Sequence, residues 1–325
     1  MIECIKKDFE INIFAFSSGE LLPKFKSLGV RVTFGQNNFF SIFRFIHFLI
    51  FNKTDIYHFF LPKSYIIGGL FTIFSKKKKI MSRRSLNSYH KKFFFVSLFI
   101  EKFLHKRMDL ILTNTSAIKH QLVNYEDVPV EQIKVIPNFV TSLIAKRKKS
   151  NSKIIKIGYV ANFIPYKNHI LLLDICSRID IKKKWQVILV GSDVKGFKKK
   201  IKNRISELNL NKKVKLLEPQ KKIDKFYKEI NFSWSTSSEE GSSNFLLESI
   251  FHGLPIIAFD VGGNKDFFDK NGFLIPTYDF ETMKKKLEYM ILNDLSRFKT
   301  NSLKICKRKF NNKNNIKLYT SNYNS

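Results

Sequence analysis

Two glutamates, Glu240 and Glu248, stand eight residues apart within residues 237–263, which read SSEEGSSNFLLESIFHGLPIIAFDVGG. Gly241, Ser242 and Ser243 make a polar turn after the first glutamate, and Asn244 opens an apolar-periodic stretch that runs to Phe251. That order predicts a turn feeding a helix N-terminus, where unpaired backbone N–H groups and the positive helix end converge on an anion. A diphosphate suits such a place. Carboxylates accept hydrogen bonds from sugar or ribose hydroxyls, so two glutamates at different depths of one crevice can grip a nucleotide sugar at both ends. Taken alone, the same pair also reads as a helix-start acid and a solvated surface acid.

These residues need elements that hold them in place. Short β-branched or aromatic runs alternate with longer amphipathic stretches along the whole chain, the signature of parallel strands joined by crossover helices. The fold class is therefore α/β. Strand-like runs fall at 10–16, 30–34, 55–60, 79–82, 109–113 and 134–136, and again at 154–160, 185–190, 214–217, 232–236, 255–259 and 273–275. Between the two sets, residues 141–153 (TSLIAKRKKSNSK) are polar, basic and poor in large apolar groups, and form the predicted linker. The expected organisation is an N-terminal Rossmann-like domain at 1–140, the linker at 141–153, a C-terminal Rossmann-like domain at 154–290 and a helical tail at 291–325. Asp279 suits the N-cap of a helix starting near Phe280, with Glu281 at its positive end. Doubly wound units of this kind bind ligands at the carboxyl ends of their strands.

Composition narrows the class further. The 325 residues are 44% hydrophobic and carry 58 Lys and Arg against 27 Asp and Glu, a net charge of +31. The excess divides almost evenly between 1–150 and 151–325, unlike a basic arm that concentrates charge at one end. A diffuse field of this sign favours phosphates, nucleic acid or an anionic membrane surface. Cys4, Cys176 and Cys306 lie far apart without metal-ligand or disulfide spacing, which fits a reducing cytosol. Lys6, Lys7 and Asp8 interrupt any signal-peptide core. The greasiest stretches, 39–51, 64–74 and 93–104, are shorter than the ~20 apolar residues that span a bilayer.

Residues 239–263 resemble the Glu-x7-Glu region of glycosyltransferase family 4, the retaining GT-B nucleotide-sugar transferases. The resemblance extends to VIPN at 135–138, GYVANFIPYKNH at 158–169, VG at 190–191 and NGFLI at 271–275, in the family's order over about residues 55–290. An ordered series is far more specific than any one member. The resemblance implies a GT-B fold, two Rossmann-like domains facing across a cleft. It implies that Glu240 lies near the donor sugar, that Glu248 binds the ribose, and that Gly241, Ser242, Ser243 and Asn244 receive the diphosphate. Lys167 then neutralises the diphosphate and helps the nucleotide leave, and Gly262 and Gly263 match the later Gly-Gly turn. The implied activity is transfer of a sugar, with retention, from a UDP- or GDP-sugar to a glycan or lipid-linked acceptor of bacterial surface polysaccharide. No protein nucleophile is implied. No Asp-x-Asp metal signature occurs, so neither a metal nor another cofactor is expected.

Several positions depart from the family pattern. Asn162 stands where many members carry a diphosphate-binding arginine, Glu218 where a glycine often follows the strand, and Asp266 where a glutamate is common. The run 10–16 looks like a second strand, so a first β-loop-α unit of about 25–30 residues is missing from the pattern. That reads either as a start placed too late or as loss of the unit. Arg83 and Arg84, after a strand, are expected either to meet an anionic acceptor or to be solvated. His169 reads as a cap or packing residue, Lys76–Lys79 as a solvated turn, Gly68-Gly69 as a close helix contact, and the Phe stripe at 93–95, 99 and 103 as core, with contact to a membrane surface as the alternative. A cytoplasmic enzyme peripheral to the membrane's inner face is the leading expectation. A nucleotide-binding remnant and a nucleic-acid-binding protein are the alternatives, the latter disfavoured by the lack of any recognised module.

Overall fold

A computed structural model describes residues 1–19, 22–36, 38–86, 94–140, 154–219 and 223–324, with residues 94–97 described by backbone alone. The predicted linker at 141–153 lies outside the described residues, as do Phe93 and the side chains of Phe94 and Phe95. Each of the twelve strand-like runs is a strand in the structure, with ends shifted by at most two residues. The buried runs are apolar on both faces, as parallel strands covered by helices require.

After a single turn, α1 (Ile2–Ile5), β1 (Asn12–Ala15) pairs in parallel with β2 (Arg31–Phe34) across α2 (Leu22–Ser27). The helix α3 (Phe40–Phe51) then leads to β3 (Ile56–Phe60), followed by α4 (Pro62–Phe71), β4 (Lys78–Arg83), α5 (Phe94–His105), β5 (Leu110–Thr113), α6 (Ser116–Glu126) and β6 (Ile133–Val135). The last four strands form one parallel sheet in chain order, and among the described residues no ladder joins it to the β1–β2 pair. Gly68 lets α4 lie directly on this sheet, because a Cβ there would come within 2.2 Å of the Phe59 ring. Lys79 is buried rather than solvated, and its ammonium donates to the Ser75 and Lys77 carbonyls. Phe99 and Phe103, read as core, are exposed instead, because α5 is apolar on more than one face.

The second set runs β7 (Ile155–Val160), α7 (His169–Ser177), β8 (Trp185–Val190), α8 (Phe197–Glu207), β9 (Val214–Leu217), α9 (Ile223–Glu229), β10 (Phe232–Ser235), α10 (Asn244–Phe251), β11 (Ile256–Phe259), β12 (Gly272–Ile275), α11 (Phe280–Leu292), α12 (Ser296–Lys309) and α13 (Asn312–Asn324). Its six strands are all parallel in the order β12-β11-β10-β7-β8-β9. The core includes Tyr159, Phe163, Leu172, Leu173, Trp234 and Phe259, all buried. Each such side chain contributes about 1.5–3 kcal/mol on burial. The Asp279 carboxylate caps α11 by accepting from the Thr282 N–H at 3.0 Å.

The chain divides into two compact units, Met1–Ile136 with Lys313–Ser325, and Pro137–Asn312. The tail is therefore not one piece. α12 packs on α10 of the second unit, whereas α13 belongs to the first. There the Tyr323 hydroxyl meets His58 Nδ1 at 2.7 Å, Lys78 Nζ donates to the Asn322 carbonyl at 2.7 Å, and Phe9 packs edge-on against Tyr323. Burial lowers the pKa of His58 to about 3, and Arg84 pushes in the same direction, so this imidazole stays neutral as it bridges Tyr323 and Ser82.

Candidate functional site

Strand order reverses between β7 and β10: β8 and β9 extend to one side, β11 and β12 to the other. Loops leaving the carboxyl ends of two such strands part in opposite directions and open a crevice, the usual ligand position in doubly wound sheets. Here the two loops are stitched together. The Thr236 hydroxyl donates to the carbonyls of Lys167 and Asn168, both at 3.1 Å, and Tyr159 donates to the Lys167 carbonyl at 3.1 Å. The Ser238 N–H donates to the Tyr166 carbonyl at 2.9 Å. With its backbone fixed, Lys167 places its ammonium 2.5 Å from Glu240 Oε1, and both side chains are mostly buried, at 16% and 10% exposure.

Glu240 is also tied from behind, its carbonyl accepting from the Gly263 N–H at 3.3 Å. Gly262 supports that turn with φ 51°, a left-handed conformation that glycine adopts without a steric penalty. Gly241 and Ser242 lie half-buried in the turn before α10. Ser243 caps the helix by accepting from the Leu246 N–H, and the exposed Asn244 accepts from Asn138 of the VIPN segment at 3.0 Å. Among the first-turn N–H groups, which have no intrahelical partner, the Ser243 side chain takes up Leu246's, while the positive helix end remains as a local field.

Glu248 is not a solvated surface acid. It sits in α10 and accepts from the Tyr227 hydroxyl at 2.7 Å. Burial raises its pKa; the Tyr227 hydrogen bond opposes that shift, and the Asp224 charge adds to it. Tyr227 comes from α9, is fully buried and stacks on His252 and Phe245. Sequence reasoning missed Tyr227, because nothing local marks one tyrosine of an amphipathic helix as the partner of an acid 21 residues on.

Asn162 is exposed in the loop after β7. That loop is pinned to β8 by Ala161 N–H to Val190 carbonyl and Phe163 N–H to Ser192 carbonyl, each 2.9 Å. Gly191 permits the approach, since a Cβ there would lie 2.0 Å from the Ala161 carbonyl oxygen. Both parties are backbone, so Gly191→Ala must displace the loop that carries Asn162 and Lys167. The expected result is an about tenfold or greater loss of ligand affinity at this crevice, read by calorimetry. An unchanged affinity would show the loop is not held by this contact.

His169 is buried between the Tyr159 and Phe163 rings. Burial lowers its pKa to about 3, with Lys167 adding to the shift, so it packs as a neutral ring. Glu218, at the end of β9, pairs with Lys198 in the first turn of α8. Asp266 lies in a short helical turn at 264–267 and pairs with Lys309.

The two arginines read as acceptor-side contacts behave differently from that expectation. Arg83 is buried rather than solvated, lines the small cavity that Arg84 also borders, and donates to Glu101 at 2.8 Å and Glu126 at 3.3 Å. Its partners lie on α5 and α6, so the arginine ties β4 to both helices that flank it. His105 closes the cluster, meeting Glu126 at 2.7 Å and the Tyr65 hydroxyl at 2.7 Å. Glu101, His105 and Glu126 would suit a cation by spacing, but Arg83 already supplies the charge at this place. Arg84 is half-buried; it donates to the Tyr319 hydroxyl of α13 at 2.5 Å and lies over the Phe60 ring. It also borders a small cavity with Leu61, Pro62 and Ser85.

A parallel α/β first unit and a doubly wound second unit, with a lysine, an N-terminal helix end and two placed carboxylates at the second unit's switch point, fit a GT-B fold with a candidate site for a phosphorylated sugar donor. Residues 141–305 match the family described as glycosyl transferases group 1, and residues 3–142 match glycosyltransferase family 4. The chain belongs to the glycosyl transferases group 1 family. A poly(ribitol-phosphate) alpha-N-acetylglucosaminyltransferase of Staphylococcus aureus is 29% identical over 57% of this chain and 37% of its own length. An N-acetylgalactosamine-N,N'-diacetylbacillosaminyl-diphospho-undecaprenol 4-alpha-N-acetylgalactosaminyltransferase of Campylobacter jejuni is 26% identical over 61% of this chain and 55% of its own. The chain thus spans about a third to a half of these relatives. The Anabaena protein HepE, solved with UDP and glucose, shares the fold at TM-score 0.85 and 18% identity, over 100% of this chain and 94% of that one.

Proposed function

We propose that this chain transfers a sugar, with retention, from a UDP- or GDP-linked donor to a glycan or lipid-linked saccharide of bacterial surface polysaccharide. The observation that carries this is the Lys167–Glu240 pair held at the β7/β10 crevice beside the start of α10. The donor diphosphate sits against Lys167 and the helix start, Glu240 faces the sugar, and Glu248, oriented by Tyr227, accepts from the ribose hydroxyls. When the bond from the anomeric carbon to the diphosphate oxygen breaks, the electron pair leaves with the nucleotide. The ammonium and the helix end stabilise that developing charge, so the chain's own groups serve without a metal ion. The acceptor hydroxyl attacks the same face and passes its proton to the departing diphosphate oxygen, and no side chain forms a covalent intermediate. The relatives' roles in poly(ribitol-phosphate) and diphospho-undecaprenol chemistry support a polyanionic or lipid-linked acceptor, reached from the cytoplasmic side of the membrane.

The test is a calorimetric titration of the chain against UDP, GDP, their sugar conjugates and a duplex DNA control at physiological salt. One nucleotide class binds saturably. Glu248→Ala weakens it about tenfold or more, because a ribose-facing charged hydrogen bond contributes about 1.5–3 kcal/mol. Binding of DNA alone, collapsing as salt rises, would replace the donor site with a nonspecific electrostatic surface.

A further inference from the structure

Every exposed phenylalanine among the described residues lies in the first unit, and all but Phe34 belong to or adjoin three successive helices, α3, α4 and α5. These helices form a row, α3 packed on α4 and α4 on α5. Phe74 is 96% exposed and Phe99 76%, with Phe43, Phe51, Phe71 and Phe103 also exposed along the row. Isolated apolar residues on a surface need no explanation, but so many exposed phenylalanines on three neighbouring helices point to a contact surface. The inner faces are already occupied: Phe45 and Leu49 of α3 and Leu104 of α5 are in the core. The outer phenylalanines are therefore surplus to folding.

Topology collects many of them at one end. In β-α-β units the carboxyl end of each helix lies where the next strand begins. Phe51 closes α3 before β3, Phe71 and Phe74 precede β4, and Phe103 precedes β5. That end carries the exposed cations Lys53, Lys76, Lys77, Lys106 and Arg107, opposed by Asp55 and Asp109. Arg107 covers the Phe103 ring at 5.0 Å, keeping cation and aromatic side by side. It is also the end away from the strand carboxyl ends, where ligands of this fold bind.

Aromatic side chains among lysines at one end of the helix row fit the boundary between acyl chains and anionic headgroups. A second copy of this chain fits worse, because its own lysines would meet these. Among the described residues no helix is long and apolar enough to cross a membrane. We propose that the α3–α4–α5 row docks the first unit on an anionic phospholipid surface. The proposal rests on the membrane-side placement in the functional reading above, and not on its donor chemistry.

The experiment is flotation of the full chain with vesicles of phosphatidylcholine alone or with added phosphatidylglycerol, at low and high salt, with UDP and GDP affinity measured in parallel. The chain floats with the anionic vesicles and less so as salt rises. The double substitution Phe51→Ser, Phe74→Ser lowers its partition about tenfold or more, and Lys76→Glu, Lys77→Glu removes the preference for phosphatidylglycerol. Nucleotide affinity is unchanged in both variants, and an unchanged unfolding midpoint of the first unit shows that they fold. Failure of the wild-type chain to float, equal flotation of all forms, or conversion of an oligomer to a monomer by the Phe substitutions without vesicle binding would overturn the proposal. Normal flotation with no nucleotide binding would support it and sink the donor reading alone.

Discussion

Lys167→Ala lowers the rate of sugar transfer by about 10²–10³-fold, the usual cost of removing one preorganised group aimed at developing charge. The unfolding temperature changes little, because the backbone of Lys167 is held by Tyr159 and Thr236 through its carbonyl rather than its side chain. The loss has two separable sources. One is the missing ammonium at the departing diphosphate. The other is the Glu240 carboxylate, which is only 10% exposed, loses its partner at 2.5 Å and now repels the donor. Glu240→Gln isolates the second: nucleotide diphosphate affinity rises by a few-fold as the negative charge goes, while transfer falls. The double variant Lys167→Ala, Glu240→Gln regains nucleotide affinity but not rate. Full recovery of transfer in the double variant would reduce the lysine to a counter-ion for Glu240, and an undiminished rate in Lys167→Ala would remove it from the mechanism.

The features legible in the sequence are those that chain-local physics fixes. Parallel strands buried on both faces must be short apolar runs, so 155–160, 185–190 and 256–259 announce themselves, whereas the order in which they pair, and with it the switch point, does not. A cap such as Asp279 declares itself three residues ahead of the N–H it accepts from. The unread features depend on partners distant in sequence. Tyr227 reaches Glu248 across 21 residues, Arg83 reaches Glu126 across 43, and His58 reaches Tyr323 across 265. No periodicity encodes such pairs. The Phe stripe failed for a related reason: helical spacing says which residues share a face, but with apolar residues on two faces it does not say which face the sheet covers, and Phe99 ended outside while Leu104 went in. The division of the tail between units was hidden the same way, since α12, rich in lysine, and α13, rich in asparagine, are both polar amphipathic helices.

Arg83→Ala destabilises the first unit by about 3–5 kcal/mol, because it leaves two buried carboxylates without the guanidinium that meets both. Glu101 and Glu126 have fully buried side chains, and Arg83 is the cation that meets both. For a unit of this size that cost lowers the unfolding midpoint by about 10 °C. Acid should mimic the substitution. Burial pushes the Glu126 carboxyl up, but the His105 hydrogen bond and the Arg83 charge outweigh it and hold its pKa at about 2, below the ordinary 4.5. A carboxyl with a depressed folded pKa stabilises above its unfolded value and loses that contribution as pH falls from about 4.5 toward 2. Stability of the wild-type chain therefore declines through that window, and Glu126→Gln flattens part of the decline while lowering the plateau. Replacing the arginine and both glutamates together, Arg83→Met with Glu101→Leu and Glu126→Leu, recovers part of the midpoint, since an apolar cluster of similar volume needs no compensating charge while buried His105 loses its Glu126 partner. The same variants decide whether Arg83 touches the acceptor. A ligand-binding arginine would leave the midpoint unchanged in Arg83→Ala and cost transfer alone, whereas a tie between β4, α5 and α6 lowers the midpoint and leaves nucleotide affinity in the second unit as it was.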